Sequence, residues 1–392
     1  MFARRTGWNL APNRYSRAVE EARRDARPLL DLTASNPTTI GLQYESERIL
    51  RALQHPNALQ YDPASKGILP ARQAVAGYYA ERGVDVSPES VVLTVSTSEA
   101  YSYCFRLLCD PGDEVLVPSP SYPLFDFLAD LQDVKLVPYE LVYDHGWQIE
   151  FESLRRRITP RSRAIMVVHP NNPTGHFTRQ WELDRLNALC REHELALVAD
   201  EVFLDYALDP SEVPLSFVAN QQALTFTLSG LSKISALPQI KAAWIIASGP
   251  AALLADALAR LEVIADTYLS PNAPVQWAVA ELLATRHAIQ RQLGERVSRN
   301  LAELDAQLKH SSIVSRLALD AGWYAVLRTP SSRSDEEIAI AILQQERVLV
   351  HPGHFFDFPD AGYLVVSLIT LEDEFREGMR RVLRALDDAG NC

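Results

Sequence analysis

Basic residues are outnumbered in this chain of 392: 38 Lys and Arg face 50 Asp and Glu, a formal net charge of −12. That balance opposes bulk attraction to nucleic acid or anionic lipid and leaves room only for a local basic pocket. Cysteine is scarce. Cys104, Cys109, Cys190 and Cys392 make neither a disulfide framework nor a CxxC metal pair, and free thiols suit a reducing cytoplasm. No apolar run reaches the ~18 residues needed to span a bilayer, and the opening MFARRTGWNLAPNRYSR lacks the apolar stretch of a secretory signal. The nine histidines form no spaced ligand set, so no metal is expected. GxGxxG, GxxxxGK[ST], GxSxG and HExxH are all absent, which weighs against a Rossmann dehydrogenase, a P-loop enzyme and an α/β-hydrolase.

What is present is apolar material in alternating blocks. The apolar fraction is 47% and the charged fraction 22%, the composition of an ordinary globular protein, and the length suggests two or three domains. Short β-branched runs occur at Val91–Val95, Val115–Val117, Val134–Val137, Ala164–Val168, Leu195–Ala199, Ala223–Leu228 and Ala242–Ala247, with helix-like segments such as Arg179–His193 and Ala251–Ile264 between them. Runs apolar throughout predict strands buried on both faces, and their alternation with helices predicts a mostly parallel α/β sheet. This block is expected over 46–275. Beyond it a long helical stretch, Val275–Leu308, leads to apolar runs at Trp323–Leu327, Val348–Val350 and Tyr363–Ile369 and an amphipathic segment, Leu371–Leu386. These predict a smaller α+β domain over 276–392, joined by an N-terminal arm over 1–45.

Three segments carry chemistry, and each follows a predicted strand. In an open α/β sheet ligands bind beyond the carboxyl ends of the strands, so the three are expected to converge. The first is His169-Pro170-Asn171-Asn172-Pro173-Thr174-Gly175. Its prolines and glycine fix a turn, and Asn172 offers both a donor and an acceptor. The second is Asp200-Glu201-Val202-Phe203; a carboxylate at the end of a buried strand needs a cation beside it. The third is Ser229-Gly230-Leu231-Ser232-Lys233. A desolvated lysine loses its proton more readily and attacks carbonyls. Taken singly, a turn, an ion pair and a surface lysine explain these residues as well. Taken together, they are spaced by 28 residues from Asn172 to Asp200 and 33 from Asp200 to Lys233, about one strand–helix–strand unit each. Asn, Asp and Lys at successive strand ends suit one cofactor, pyridoxal 5′-phosphate (PLP).

On PNNPTG, DEVF, SGLSK and DPGDEVLVPSPSYP (Asp110–Pro123), with similarity running from about Asp31 to Arg384, the chain resembles a class I/II aminotransferase of the aspartate aminotransferase superfamily, PLP fold type I. The resemblance implies a PLP-dependent transaminase that moves an amino group between an amino donor and a keto acid. Lys233 would hold PLP as a Schiff base, Asp200 the pyridine nitrogen and Asn172 the phenolic oxygen. Ser96, Thr97, Ser98 and Ser232 would take the phosphate, with Tyr122 stacked on the ring and Lys241 standing where the family usually has a phosphate-gripping Arg. Tyr61 matches the tyrosine that reaches the partner's phosphate, which implies a homodimer sharing its active sites. Asn36 and His351, with Asn172, are candidates for binding substrate.

Three departures qualify this. Phe203 stands where the family usually has a Tyr that donates to the phenolic oxygen, and Gly230 replaces a hydroxyl residue. Most important, Val365, in Gly362-Tyr363-Leu364-Val365-Val366-Ser367, replaces the Arg that grips the substrate α-carboxylate, and no Arg lies between Val348 and Glu374. His354, Arg260 and Arg328 are weaker substitutes, and Trp8, Tyr15, Trp323 and Phe355 are candidates for an apolar pocket. The loss of the Arg keeps a second reading open: a PLP-dependent lyase or cyclase acting on an amino-acid-derived substrate.

Overall fold

The apolar, β-branched runs form strands whose two faces are both covered. The computed structural model describes residues 1–390 apart from 26, 124, 210, 212, 213 and 331; Cys392 lies outside them. A short strand, β1 (Leu30–Asp31), precedes an eight-stranded sheet built from β2 (Val91–Thr94), β3 (Glu114–Ser119), β4 (Lys135–Tyr143), β5 (Trp147–Ile149), β6 (Ser162–Val168), β7 (Ala196–Asp200), β8 (Thr225–Gly230) and β9 (Ala243–Ser248). The spatial order is β2-β9-β8-β7-β6-β3-β4-β5. Strands β3, β4, β6, β7 and β8 are parallel, β9 runs against both its neighbours, and β5 runs against β4.

Side chains alternate across this sheet. Val115, Met166, Val198 and Phe226 pack with Tyr101, Phe105 and Leu261 from the helices Thr97–Leu108 and Ala251–Tyr268. Their neighbours Leu116, Ile165, Val167 and Leu197 meet Leu183, Leu186 and Leu189 of the helix Gln180–His193 on the other face. With neither face in water, polar alternation brings no gain and the strands read as continuous apolar runs.

A second, four-stranded antiparallel sheet uses β10 (Ser315–Arg316), β11 (Tyr324–Arg328), β13 (His351–Pro352) and β14 (Tyr363–Ser367) in the order β10-β11-β14-β13, while β12 (Val348–Leu349) pairs in parallel with β1. The core under this sheet mixes Tyr15, Ala22 and Leu32 of the N-terminal segment with Leu293, Trp323, Val365 and Phe375. Arg347 helps to fasten the two: its guanidinium donates to the carbonyls of Ala22 and Arg27, each at 2.8 Å. The single helix expected over Val275–Leu308 is two, Ala273–Ala284 and Arg286–Leu308. At the junction the Thr285 hydroxyl donates back to the Leu282 carbonyl at 2.8 Å, a side-chain bond that bends helices.

The turn after β6 is fitted closely to the small sheet. Gly175 has φ +72°, and a Cβ there would stand 2.5 Å from the Ala321 carbonyl oxygen and 2.8 Å from the Leu319 Cβ. Both the left-handed backbone and the contact select glycine. Gly175→Ala is therefore expected to destabilise the protein by about 2–4 kcal/mol in urea unfolding; a loss under about 0.5 kcal/mol would show that the two segments separate freely.

Candidate active site

Every segment singled out for chemistry leaves the same edge of the large sheet. β6 runs into Asn172, β7 ends on Asp200, β8 runs into Lys233, β2 into Thr97 and β3 into Tyr122. The register places Val168 beside Asp200 and Asp200 beside Leu228. A cavity of about 250 Å³ opens at this edge, and Thr97, Tyr122, Asn172, Asp200, Ser232 and Lys233 all line it. His351 lines it from the opposite side, together with Ser35, Tyr324 and Phe356.

Asp200 is buried, and burial pushes its pKa up against the pull of its hydrogen bonds and of the Lys233 amine. Its Oδ2 accepts from the Tyr101 hydroxyl at 2.8 Å and its Oδ1 from the Val202 N–H at 3.0 Å. Two ionised carboxylate oxygens accept about four donors, so Asp200 retains capacity for a further N–H. Lys233 lies in the short helix Leu231–Ile234. Its Nζ sits 5.4 Å from the Phe203 ring centroid and 4.9 Å from that of Trp323, and these two rings meet edge-on at 5.1 Å. Desolvation in this aromatic corner lowers the Lys233 pKa to about 8, partly opposed by Asp200. The Tyr206 hydroxyl donates to the Lys233 carbonyl at 2.6 Å and pins the backbone beneath it.

The two adjacent asparagines divide their work. Asn171 builds the turn: its Oδ1 accepts from the Thr174 hydroxyl at 2.8 Å, and its Nδ2 donates to the Pro120 carbonyl at 3.3 Å. Asn172 faces the cavity with its Oδ1 buried and unpartnered. A buried polar atom without a partner is costly, and the amide satisfies a ligand acceptor as readily as a donor by turning over. His169 belongs to the frame: its Nδ1 accepts from the Thr178 N–H at 3.0 Å and its Nε2 meets the Leu215 carbonyl at 2.9 Å.

The phosphate candidates separate. Thr97 lines the cavity at the first turn of the helix Thr97–Leu108, whose leading N–H groups suit an anion. The Ser96 hydroxyl caps that helix by accepting from Glu99 N–H at 3.1 Å. Ser98 is exposed and does not line the cavity, and Lys241 is exposed with a left-handed φ of +62°, two residues before β9 at the same sheet edge. Tyr61, 77% exposed, lies away from the cavity in a surface groove with Asp62, Ser65, Leu269 and Trp277.

The substrate candidates need revision. Asn36 is exposed, its Oδ1 held by the Thr38 N–H at 3.0 Å and hydroxyl at 2.7 Å, and its neighbour Ser35 lines the cavity in its place. Arg260, Arg328, His354, Trp8, Tyr15 and Phe355 do not line it. Trp8 instead donates to Asp130 at 2.7 Å, and Tyr15 to the Val350 carbonyl at 2.7 Å. Val365 is fully buried and pairs with His351. Sequence reasoning missed Tyr101 and Tyr324. For Tyr101 a signal existed, since it lies four residues after Thr97 on the same helix face.

Among the described residues no group of His, Cys, Asp and Glu is placed to hold a metal ion, and no helix is long and apolar enough to cross a membrane. The donor set fits PLP: an amine of lowered pKa, a buried carboxylate with spare capacity, an unpartnered amide, a helix N-terminus and the Tyr122 ring around one cavity.

Comparison with known proteins agrees. The family model "Aminotransferase class I and II" matches residues 27–380. The glutamate-pyruvate aminotransferase AlaA of Escherichia coli K12 is 28% identical over 94% of this chain and 93% of its own length. The alanine aminotransferase of Mycobacterium bovis is 30% identical over 88% of this chain and 81% of its own length. In fold, the alanine aminotransferase from Pyrococcus furiosus superposes with a TM-score of 0.87 at 23% identity, covering 99% of this chain and 100% of that one. Nothing in these comparisons favours a lyase or cyclase. The chain belongs to the class I and II aminotransferases, enzymes that move an amino group between an amino donor and a keto acid.

Proposed function

We propose that this aminotransferase works through PLP held at Lys233, with Asp200 and Asn172 fixing the pyridine ring and Thr97 and Ser232 receiving the phosphate. The single observation that carries this is the convergence of Lys233, Asp200 and Asn172, from three successive strand ends, on one cavity. When bound, the coenzyme supplies an aldehyde that exchanges amines and a ring that accepts the electron pair released at the neighbouring carbon.

This chain's own groups do the rest. The Lys233 amine, half of it unprotonated at about pH 8, would be the nucleophile that retains the coenzyme. Once free, the same Nζ would be placed to take a proton from the donor's carbon and to return it. Asp200, short of partners in a buried place, is stabilised by a protonated ring nitrogen and keeps that nitrogen charged. Phe203, with no hydroxyl, gives the phenolic oxygen nothing and leaves Asn172 as its amide partner. Ser96, Ser98 and Lys241 stand at the phosphate end without lining the cavity.

The same reading extends to a homodimer. Leu59, Tyr61, Val263 and Leu269 are large apolar side chains left exposed, at 97%, 77%, 67% and 59%, and Tyr61 and Leu269 share the surface groove away from the cavity. These exposed apolar side chains support a second copy covering that face, with Tyr61 reaching the partner's phosphate. The reading also divides the chain into an arm (1–45), a coenzyme-binding domain (46–275) and a small domain (276–392). The described cysteines are unpaired, which favours a reducing, cytoplasmic setting.

Two outcomes are expected. Lys233→Ala should abolish borohydride trapping of the coenzyme on the protein and lower turnover at least ~100-fold, the range of a lost general base; a variant that still turns over within tenfold of the parent removes Lys233 from the chemistry. The pH dependence has a fixed sign. A protonated amine cannot attack an aldehyde, so capture of PLP by apoprotein should speed up with rising pH and level off above about pH 8, where Lys233 is neutral. Stopped-flow absorbance reads this directly, and a rate still climbing severalfold between pH 9 and pH 10 would place the lysine at its ordinary value.

A further inference from the structure

The cavity has two walls. Ser35, Tyr324, His351 and Phe356 form one, from the small sheet and the N-terminal segment; Thr97, Asn172, Asp200 and Lys233 belong to the other, from the large sheet. Behind that second wall stands Tyr101, which does not line the cavity but touches a residue that does. It is buried, and its hydroxyl donates to Asp200 Oδ2 at 2.8 Å.

The hydrogen bond joins two elements. Asp200 ends β7, whereas Tyr101 lies in the helix Thr97–Leu108, four residues after Thr97. Residues four apart share a helix face, so one turn of helix carries both Thr97 and the hydroxyl that holds Asp200. The Tyr101 ring is fixed in turn. It meets Phe125 edge-on at 5.3 Å and lies 6.2 Å from Phe105, and withdrawing the hydroxyl would drive the ring into this close-packed core. Asp200 is therefore gripped at both oxygens, Oδ2 by Tyr101 and Oδ1 by the Val202 N–H at 3.0 Å. A carboxylate held so cannot turn about its last torsion, and its remaining acceptor sites keep one direction.

The same bond bears on charge. Burial favours the neutral acid of Asp200, against the hydrogen bonds from Val202 and Tyr101 and the Lys233 amine. Lys233 contributes only while it is protonated. Tyr122 and Glu201 are the other ionisable groups that sense Asp200, and Glu201 is engaged by the Ser216 hydroxyl at 2.8 Å and the Phe217 N–H at 2.6 Å. Tyr101 stays a donor throughout, because burial and the neighbouring carboxylate make its own proton harder to remove.

We propose that Tyr101 is a positioning residue for amino transfer: acting through Asp200, it keeps that carboxylate ionised and aimed at the ring nitrogen of the coenzyme, and so keeps the nitrogen protonated. The inference rests on the reading that Asp200 meets that nitrogen. Nothing covalent happens at Tyr101, whose proton stays on its own oxygen.

The test loads apoprotein with PLP carrying 15N in the ring, whose chemical shift separates protonated from unprotonated nitrogen. Tyr101→Phe removes one oxygen and leaves the ring in its core. It is expected to move the signal toward the unprotonated position and to lower kcat by a larger factor than it raises KM. It should also weaken PLP binding to apoprotein about tenfold or more, the scale of a lost hydrogen bond to a charge. Phe105→Leu loosens the same helix without touching the hydroxyl, and should lower thermal stability while leaving the nitrogen signal in place. In an Asp200→Asn background, Tyr101→Phe should change PLP affinity by no more than about twofold, because its route of action is gone. A Tyr101→Phe signal equal to the parent's, an equal displacement in Phe105→Leu, or a full loss of affinity in the Asp200→Asn background overturns the inference. An unprotonated ring nitrogen in the parent enzyme is a separate result: it overturns the reading of Asp200 on which the inference rests.

Discussion

A carboxylate buried at the end of a strand covered on both faces is the constraint around which this site is built. Asp200 ends β7 in the middle of the large sheet, where desolvation favours its neutral form. Among the described residues two donors reach its side chain, the Tyr101 hydroxyl and the Val202 N–H. A positive group arriving from the cavity would satisfy what remains, so in the proposed reading a cationic ring nitrogen and the protein would stabilise one another. Removing Asp200 would relieve the burial cost and at the same time remove the reason for a protonated ring to stay.

Lys233 meets the opposite demand. In the proposed role its amine would have to be neutral to attack and charged after taking a proton, with both states accessible near neutral pH. Burial pushes it toward the neutral form, while the faces of Phe203 and Trp323 and the charge of Asp200 make the cationic form tolerable. A pKa near 8 is the compromise. The aromatic corner is held edge to face, with Tyr206 adding a third ring at 5.0 Å from Trp323. Packing in the small-sheet core thus bears on proton transfer in the large-sheet site.

Much of this was legible in the sequence because the large sheet is parallel and doubly covered. Such strands betray themselves as unbroken apolar runs, and their ligand edge is fixed by chain direction, so motifs after β6, β7 and β8 had to meet. What was not legible depends on side-chain direction over one or two residues. Asn171 and Asn172 are chemically identical, yet only the second is left free by the turn. Ser35 reaches the cavity and Asn36 does not, because Asn36 is used to cap the turn at Thr38. Ser96 was equally readable as a cap or a phosphate ligand, and its hydroxyl accepts from Glu99 N–H as a cap does. Tyr324 carries no motif at all; it enters by strand register across from Ser367.

The division into two walls explains how such a chain can keep one half of its chemistry while changing the other. Coenzyme groups lie at the ends of parallel strands whose positions are set by the packing of the whole large sheet, so they tolerate little variation. The facing wall hangs on β11, β13 and β14 and on a short N-terminal segment tied to them through β1, β12 and the Ser367 hydroxyl, which donates to the Ala34 carbonyl at 2.6 Å. Substituting Ser35, Tyr324 or His351 alters the wall that faces Asp200, Lys233 and Asn172 while leaving the strand ends that carry those three in place. The apparatus for moving a proton at Lys233 therefore stays in place whatever side chains the facing wall carries.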